Sequence, residues 1–118
     1  MTSGRTKAVL STNGGCVQRF LVNDLDILYP ETLLEINGQT KKRGGVPILF
    51  PWAGALENYP QHGFARDMEW KVIDQESNEI LLGLKDNEQT FKIFPYHFRN
   101  GLKIELNEKR MFLSVSCF

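Results

Sequence analysis

The chain has 118 residues, of which 42% are hydrophobic and 24% charged, the make-up of at most one ordinary globular domain. Lys+Arg and Asp+Glu number 14 each, so the formal net charge is zero. That balance argues against a general nucleic-acid or membrane-surface role, since both need a positive field.

Residues 1–6 are polar and are expected to fray. Residues 8–10 form a short apolar strand. Asn13-Gly14-Gly15 then turns the chain, because it accepts positive φ cheaply. A strand resumes over residues 16–22, with Val17, Phe20 and Val22 among its apolar positions. Asn23-Asp24 turns again, and residues 25–29 make a third short strand stopped by Pro30. Residues 32–36, TLLEI, fit either one helical turn or a strand. Asn37-Gly38 is a strong hairpin-turn signal. Residues 46–50 are nearly all apolar and carry Pro47, with Pro51 next; they read as a buried, strand-like floor to the loop that follows.

Residues 69–84 read as a β-hairpin. In it Trp70, Val72 and Asp74 alternate against Lys71 and Ile73, residues 76–78 turn, and residues 80–84 return. Residues 86–88 form a polar turn, and residues 90–94 are apolar and aromatic before Pro95. Leu102, Ile104 and Leu106 alternate with Lys103 and Glu105, the pattern of a half-buried strand. After a turn at 107–109, Met111, Leu113, Val115 and Cys117 alternate with Phe112, Ser114 and Ser116. Many short strands and no long amphipathic helix predict an all-β fold, an antiparallel β-sandwich or a barrel-like relative of one.

The last alternation runs into Phe118 with no polar tail, and a bare apolar strand end is a liability that complete proteins usually manage. The chain is therefore expected to be the N-terminal part of something longer, able to self-associate through exposed strand edges. A central strand that happens to come last is the alternative. Cys16 and Cys117 lie far apart in strand-like stretches and are expected to be reduced, largely buried thiols. No apolar run reaches the length of a signal-peptide core or a membrane span, so a cytoplasmic protein is the default expectation.

The stretch that departs from this regular pattern is residues 43–70, RGGVPILFPWAGALENYPQHGFARDMEW. So much Gly and Pro forbids a regular strand or helix, and the aromatic and aliphatic content argues against disorder. A long ordered loop of this kind is usually functional. His62 precedes a glycine, so a ligand can approach the backbone closely, and Arg66 lies four residues on. Gln61 adds an amide with both donors and an acceptor. Arg43, beside Gly44-Gly45, carries a planar fork suited to phosphate or vicinal hydroxyls. Trp52 offers a face for a sugar ring. Each has a plain structural alternative: an ion pair with Asp67 or Glu69 for Arg66, a surface turn for Arg43, core packing for Trp52, a structural hydrogen bond for His62. His97, between Tyr96 and Phe98, is expected to be structural. His62 and His97 have no third ligand at metal spacing, and there is no phosphate-binding glycine motif and no serine-nucleophile elbow.

RGGVPILFPWAG followed by PQHGFARDMEW resembles the aldose 1-epimerase (galactose mutarotase-like) superfamily, and most of all its glucose-6-phosphate 1-epimerase-like and LacX-like branches. GGCVQRFLVNDLDILYP resembles the opening strands of those proteins, and LKDNEQTFKIFPYHFRNGLKIEL the segment after the hairpin. The resemblance covers nearly the whole chain. It implies part of a large antiparallel β-supersandwich with a sugar cleft on one face. It also implies a cofactor-free reaction, the interconversion of α and β anomers of a hexose or hexose 6-phosphate by paired general acid–base catalysis.

Carried over, Arg43 and Arg66 match cleft arginines, His62 matches the histidine that hydrogen-bonds the sugar in an accessory catalytic role, and Gln61 and Trp52 are adjacent cleft candidates. The family's principal catalytic histidine and its glutamate base come after the region matched here, so residues 1–118 correspond to the N-terminal part of the sandwich. Two other readings stay open: a non-catalytic carbohydrate-binding remnant, and a damaged product without a stable function.

Overall fold

A computed structural model describes residues 1–117 of the chain. Phe118, on which the expectation of a bare strand end partly rests, lies outside the described residues. The strands are β1 (Thr2–Ser3), β2 (Thr6–Ser11), β3 (Cys16–Val22), β4 (Leu25–Asp26), β5 (Thr32–Ile36), β6 (Gln39–Arg43), β7 (Lys71–Gln75), β8 (Glu79–Lys85), β9 (Arg99–Leu106) and β10 (Met111–Cys117). One short helix, α1 (Glu88–Ile93), connects β8 to β9. One four-stranded sheet runs β1-β2-β3-β4 and a second runs β10-β9-β8-β7; β5 and β6 form a separate ribbon. All pairings between these strands are antiparallel.

The two larger sheets share a core. Val17 from the first meets Leu82, Leu102 and Ile104 from the second, with Ile48, Phe64 and Trp70 filling in from the connecting loop. Burying each such aliphatic side chain contributes roughly 1.5–3 kcal/mol. The alternation read along β9 is the observed one: Leu102, Ile104 and Leu106 are buried and Lys103 and Glu105 half-exposed. Ala8 and Phe20 join Leu106 in a smaller cluster at one end of the same interface. β10 pairs only with β9, so its second edge has no partner among the described residues.

Several expectations change. Residues 1–6 are tied down rather than frayed. The Met1 amine donates to the Ala8 carbonyl and the Thr2 amide to that of Ser77. Thr6 is 1% exposed, and its hydroxyl reaches the Ser3 and Asn107 carbonyls. The strand expected over residues 25–29 shortens to β4, followed by one backbone bond from the Ile27 amide to the Phe20 carbonyl, and Ile27 and Tyr29 are 60% and 74% exposed. Residues 32–36 are a strand, because Asn37 and Gly38 take φ of 52° and 76° and fold it back onto β6.

The floor piece at 46–50 is only partly buried. It touches neighbouring backbone through isolated bridges at Val46 and Phe50, and only Ile48 is fully covered. In β7 the simple alternation fails because the register slips between Val72 and Asp74. Ile73 is the extra residue and lies over Gly83, where an added Cβ would come within 2.4 Å of Ile73 Cδ1. Residues 88–93 are helical, started by reciprocal hydrogen bonds between Asn87 and Thr90. Cys16 is buried as expected, but Cys117 is exposed.

Candidate functional site

The 43–66 segment hangs from the first sheet by backbone contacts that only glycine permits. The Gly45 amide donates to the Tyr29 carbonyl and the Val46 amide to that of Val17. A Cβ on Gly44 would stand 2.2 Å from the Pro30 oxygen. Arg43, the last residue of β6, is thus fixed at the base of the ribbon. Its guanidinium is exposed, with Nη1 donating to the Lys42 carbonyl at 3.0 Å.

Farther on, the chain folds back on itself twice. The Trp52 indole N–H donates to the Pro60 carbonyl at 2.9 Å, closing residues 52–60 into a loop. The Trp52 ring meets Tyr59 and Phe64 edge-on, with centroids 5.7 and 6.4 Å away. Within the closure, Gly54 and His62 hold each other. The His62 amide donates to the Gly54 carbonyl at 2.8 Å, and the Gly54 amide donates to His62 Nδ1 at 2.7 Å. His62 has φ of 62°, a left-handed conformation in which histidine is enriched among non-glycine residues.

Gly63 follows at φ 74°, and the Phe64 and Ala65 amides both donate to the Phe50 carbonyl. Arg66 sits on the 3₁₀ turn Ala65–Asp67 and donates from Nη2 to the Gln61 carbonyl at 3.1 Å. Trp70 anchors the far end, 2% exposed, with its indole N–H on the Ala65 carbonyl.

His62, Gln61, Arg66 and Trp52 are therefore brought together by a chain of short hydrogen bonds through Gly54 and Pro60. No hydrogen bond joins Arg43 to that group. The ion pair with Asp67 or Glu69 considered for Arg66 does not form; among the described residues neither Arg43 nor Arg66 is in a salt bridge. Both charges are left for a ligand or for water. Gln61 contributes its carbonyl to Arg66 and is itself exposed. In the sequence Gly54 reads only as one of the glycines that relax the loop backbone, with no role in the site. Its contribution is a backbone N–H, which no side-chain pattern announces.

His97, expected to be structural, is paired with Asp86 and otherwise largely exposed. Its Nδ1 lies 2.9 Å from Asp86 Oδ2, while Asp86 Oδ1 accepts the Phe98 amide. These contacts, the His97 hydrogen bond first, hold the Asp86 carboxyl below the usual carboxylate range. Two adjoining open grooves, of about 580 and 530 Å³, flank this pair and are lined by Phe91, Lys92, Lys85 and Arg99 among others, with no residue of the His62 loop. Burial, helped by a hydrogen bond with Glu31, pushes the Cys16 thiol up to about 12, which removes it as a nucleophile. Among the described residues no group of three or more His, Cys, Asp or Glu is placed to hold a metal ion, and no helix is long and apolar enough to cross a membrane.

Comparison with known proteins gives this geometry a context. The aldose 1-epimerase family model matches residues 1–117. A Salmonella typhimurium protein named "Putative glucose-6-phosphate 1-epimerase" is 42% identical over 62 residues, 48% of this chain and 21% of the relative. An Escherichia coli protein of the same name is 35% identical over 77 residues, 55% of this chain and 26% of the relative. The solved structure of a galactose mutarotase related enzyme from Lactobacillus acidophilus superposes with a TM-score of 0.85 at 27% identity, covering 99% of this chain and 41% of that one. The chain thus spans less than half the length of the proteins it matches. The match of residues 1–117, on an antiparallel sandwich shared with a mutarotase-related enzyme, makes the chain a member of the aldose 1-epimerase family.

Proposed function

We propose that residues 1–118 form the N-terminal part of a mutarotase-like β-sandwich that holds a hexose or hexose 6-phosphate for interconversion of its α and β anomers. In that reaction the anomeric hydroxyl loses its proton and the ring oxygen gains one. The ring opens, the C1–C2 bond rotates, and the ring recloses on the other face. Only protons move, so no cofactor is required.

The observation that carries the proposal is the cluster in the loop: the Arg66 guanidinium, in no ion pair among the described residues, beside an imidazole locked by Gly54, with the equally unpaired Arg43 at the base of the ribbon outside that cluster. Arg66 and Arg43 suit vicinal hydroxyls or a phosphate dianion. His62 and Gln61 hydrogen-bond the sugar. Trp52, whose indole N–H is already used, contributes a wall and not a donor. The phosphorylated alternative draws on the names of the Salmonella and Escherichia relatives.

The principal acid and base implied by the family resemblance are assigned to no residue of 1–117. The expectation for the 118-residue chain is sugar binding with little or no anomer exchange. Magnetisation-exchange NMR on α- and β-glucose 6-phosphate tests this, together with an equilibrium titration of the same sugar. Binding that Arg66→Ala weakens, with exchange at the buffer rate, is the predicted result. Exchange well above buffer and lost in His62→Ala would mean that the chain carries its own acid–base pair. No binding of either glucose or its 6-phosphate would remove the proposal.

A further inference from the structure

A backbone N–H can only donate. The nitrogen that receives it must therefore carry a lone pair and no proton. Gly54 donates to His62 Nδ1 at 2.7 Å, so in this geometry the imidazole is the neutral ring protonated at Nε2. The contact is held from several sides. His62 returns a hydrogen bond to the Gly54 carbonyl, Trp52 clamps the loop at Pro60, and the Tyr59 amide donates to the Leu56 carbonyl across its tip. Gly54 itself takes φ of 86° and has open space where a side chain would begin. Among the described residues Nε2 has no hydrogen-bond partner.

We infer that the Gly54 amide is a positioning group for His62, fixing its tautomer so that Nε2–H is presented as a hydrogen-bond donor to an acceptor oxygen of the sugar. The inference rests on the sugar-binding reading above and deepens it. His62 can then donate to the ring oxygen or to a hydroxyl lone pair, but it cannot serve as the base that takes the anomeric proton. The 52–60 loop, which contributes no charged side chain to the cluster, becomes part of the site through one N–H.

The tautomer is read directly from long-range ¹H–¹⁵N correlation of the imidazole in histidine-labelled protein, with His97→Gln leaving one ring to assign. The expected spectrum shows an unprotonated Nδ1 and a protonated Nε2. A protonated Nδ1, or an even mixture, would overturn the inference. Two substitutions separate the roles of the two nitrogens. His62→Asn keeps an acceptor where Nδ1 stands and should preserve hydrogen-exchange protection of the Gly54 amide, while weakening sugar binding about tenfold. His62→Gln keeps a donor near Nε2 and should lose that protection while retaining more of the binding. Wild-type affinity in His62→Asn would sink the donor role. Wild-type protein that binds no sugar would instead sink the sugar reading, and the imidazole spectrum would still decide the Gly54 contact.

Discussion

Gly54 and Gly63 both sit at positive φ in the same loop, yet the structure predicts very different costs for giving each a methyl group. At Gly54 the added Cβ meets nothing within 4 Å, so Gly54→Ala carries only the left-handed backbone penalty, about 1–2 kcal/mol. At Gly63 the Cβ would stand 2.0 Å from the Phe50 oxygen and 2.4 Å from its carbon. Those are backbone atoms and cannot rotate away, so the Phe50–Gly63 contact must open. With it go the hydrogen bonds from the Phe64 and Ala65 amides to the Phe50 carbonyl, at 2.9 and 3.2 Å. At about 0.5–1.5 kcal/mol for each bond, added to the same backbone penalty, Gly63→Ala should cost about 2–5 kcal/mol. That is a large part of the stability of an ordinary domain. Urea unfolding followed by tryptophan fluorescence reads both values, since Trp52 and Trp70 flank the loop. Equal losses in the two variants, or a Gly63→Ala protein as stable as wild type, would refute the account of how the loop is held.

Three further outcomes are expected. Arg66→Ala should weaken sugar binding by the loss of a charge-assisted contact, about 1.5–3 kcal/mol, and more for glucose 6-phosphate than for glucose if the guanidinium meets the phosphate; titration with both sugars decides, and equal losses would remove the phosphate role. Thiol labelling of the folded protein should modify Cys117 promptly and Cys16 only after unfolding, because Cys16 is buried and its thiol is pushed up to about 12; rapid labelling of both would contradict the packing around Cys16. The Asp86 carboxyl is depressed in the folded state by His97 and the Phe98 amide, so the stability it contributes is present above the ordinary carboxylate value of 3.8 and is lost as pH falls below it through the folded value. The advantage of wild type over Asp86→Asn should therefore shrink on acidification below that point in pH-dependent unfolding, and a constant difference would show that the carboxylate is not the source.

The sheets were legible where one face is buried and the other wet. Leu102, Ile104 and Leu106 point inward and their neighbours outward because β9 lies between β8 and β10 with only one face on the core. The same reading failed at β7, where the bulge at Ile73 breaks the period of two. Residues 88–93 escaped because the helix is short and its start signal is an Asn–Thr pair rather than the more familiar Ser/Thr–Glu pattern. Residues 32–36 could be settled only by β6 across the hairpin, since TLLEI carries no period of its own. At the candidate site the loop was visible from its Gly, Pro and aromatic content. The grouping of His62 with Arg66 followed from their spacing, but the tie to Gly54 did not, because a backbone amide leaves no trace in side-chain chemistry.

The most direct measurement is a ¹H–¹⁵N titration of the labelled chain with glucose 6-phosphate, following every backbone amide. The account predicts shifts concentrated at Gly54, His62, Gly63 and Arg66, with Arg43 included if the ribbon base joins the site. Shifts confined to the Phe91 and His97 grooves, or none at all, would contradict it.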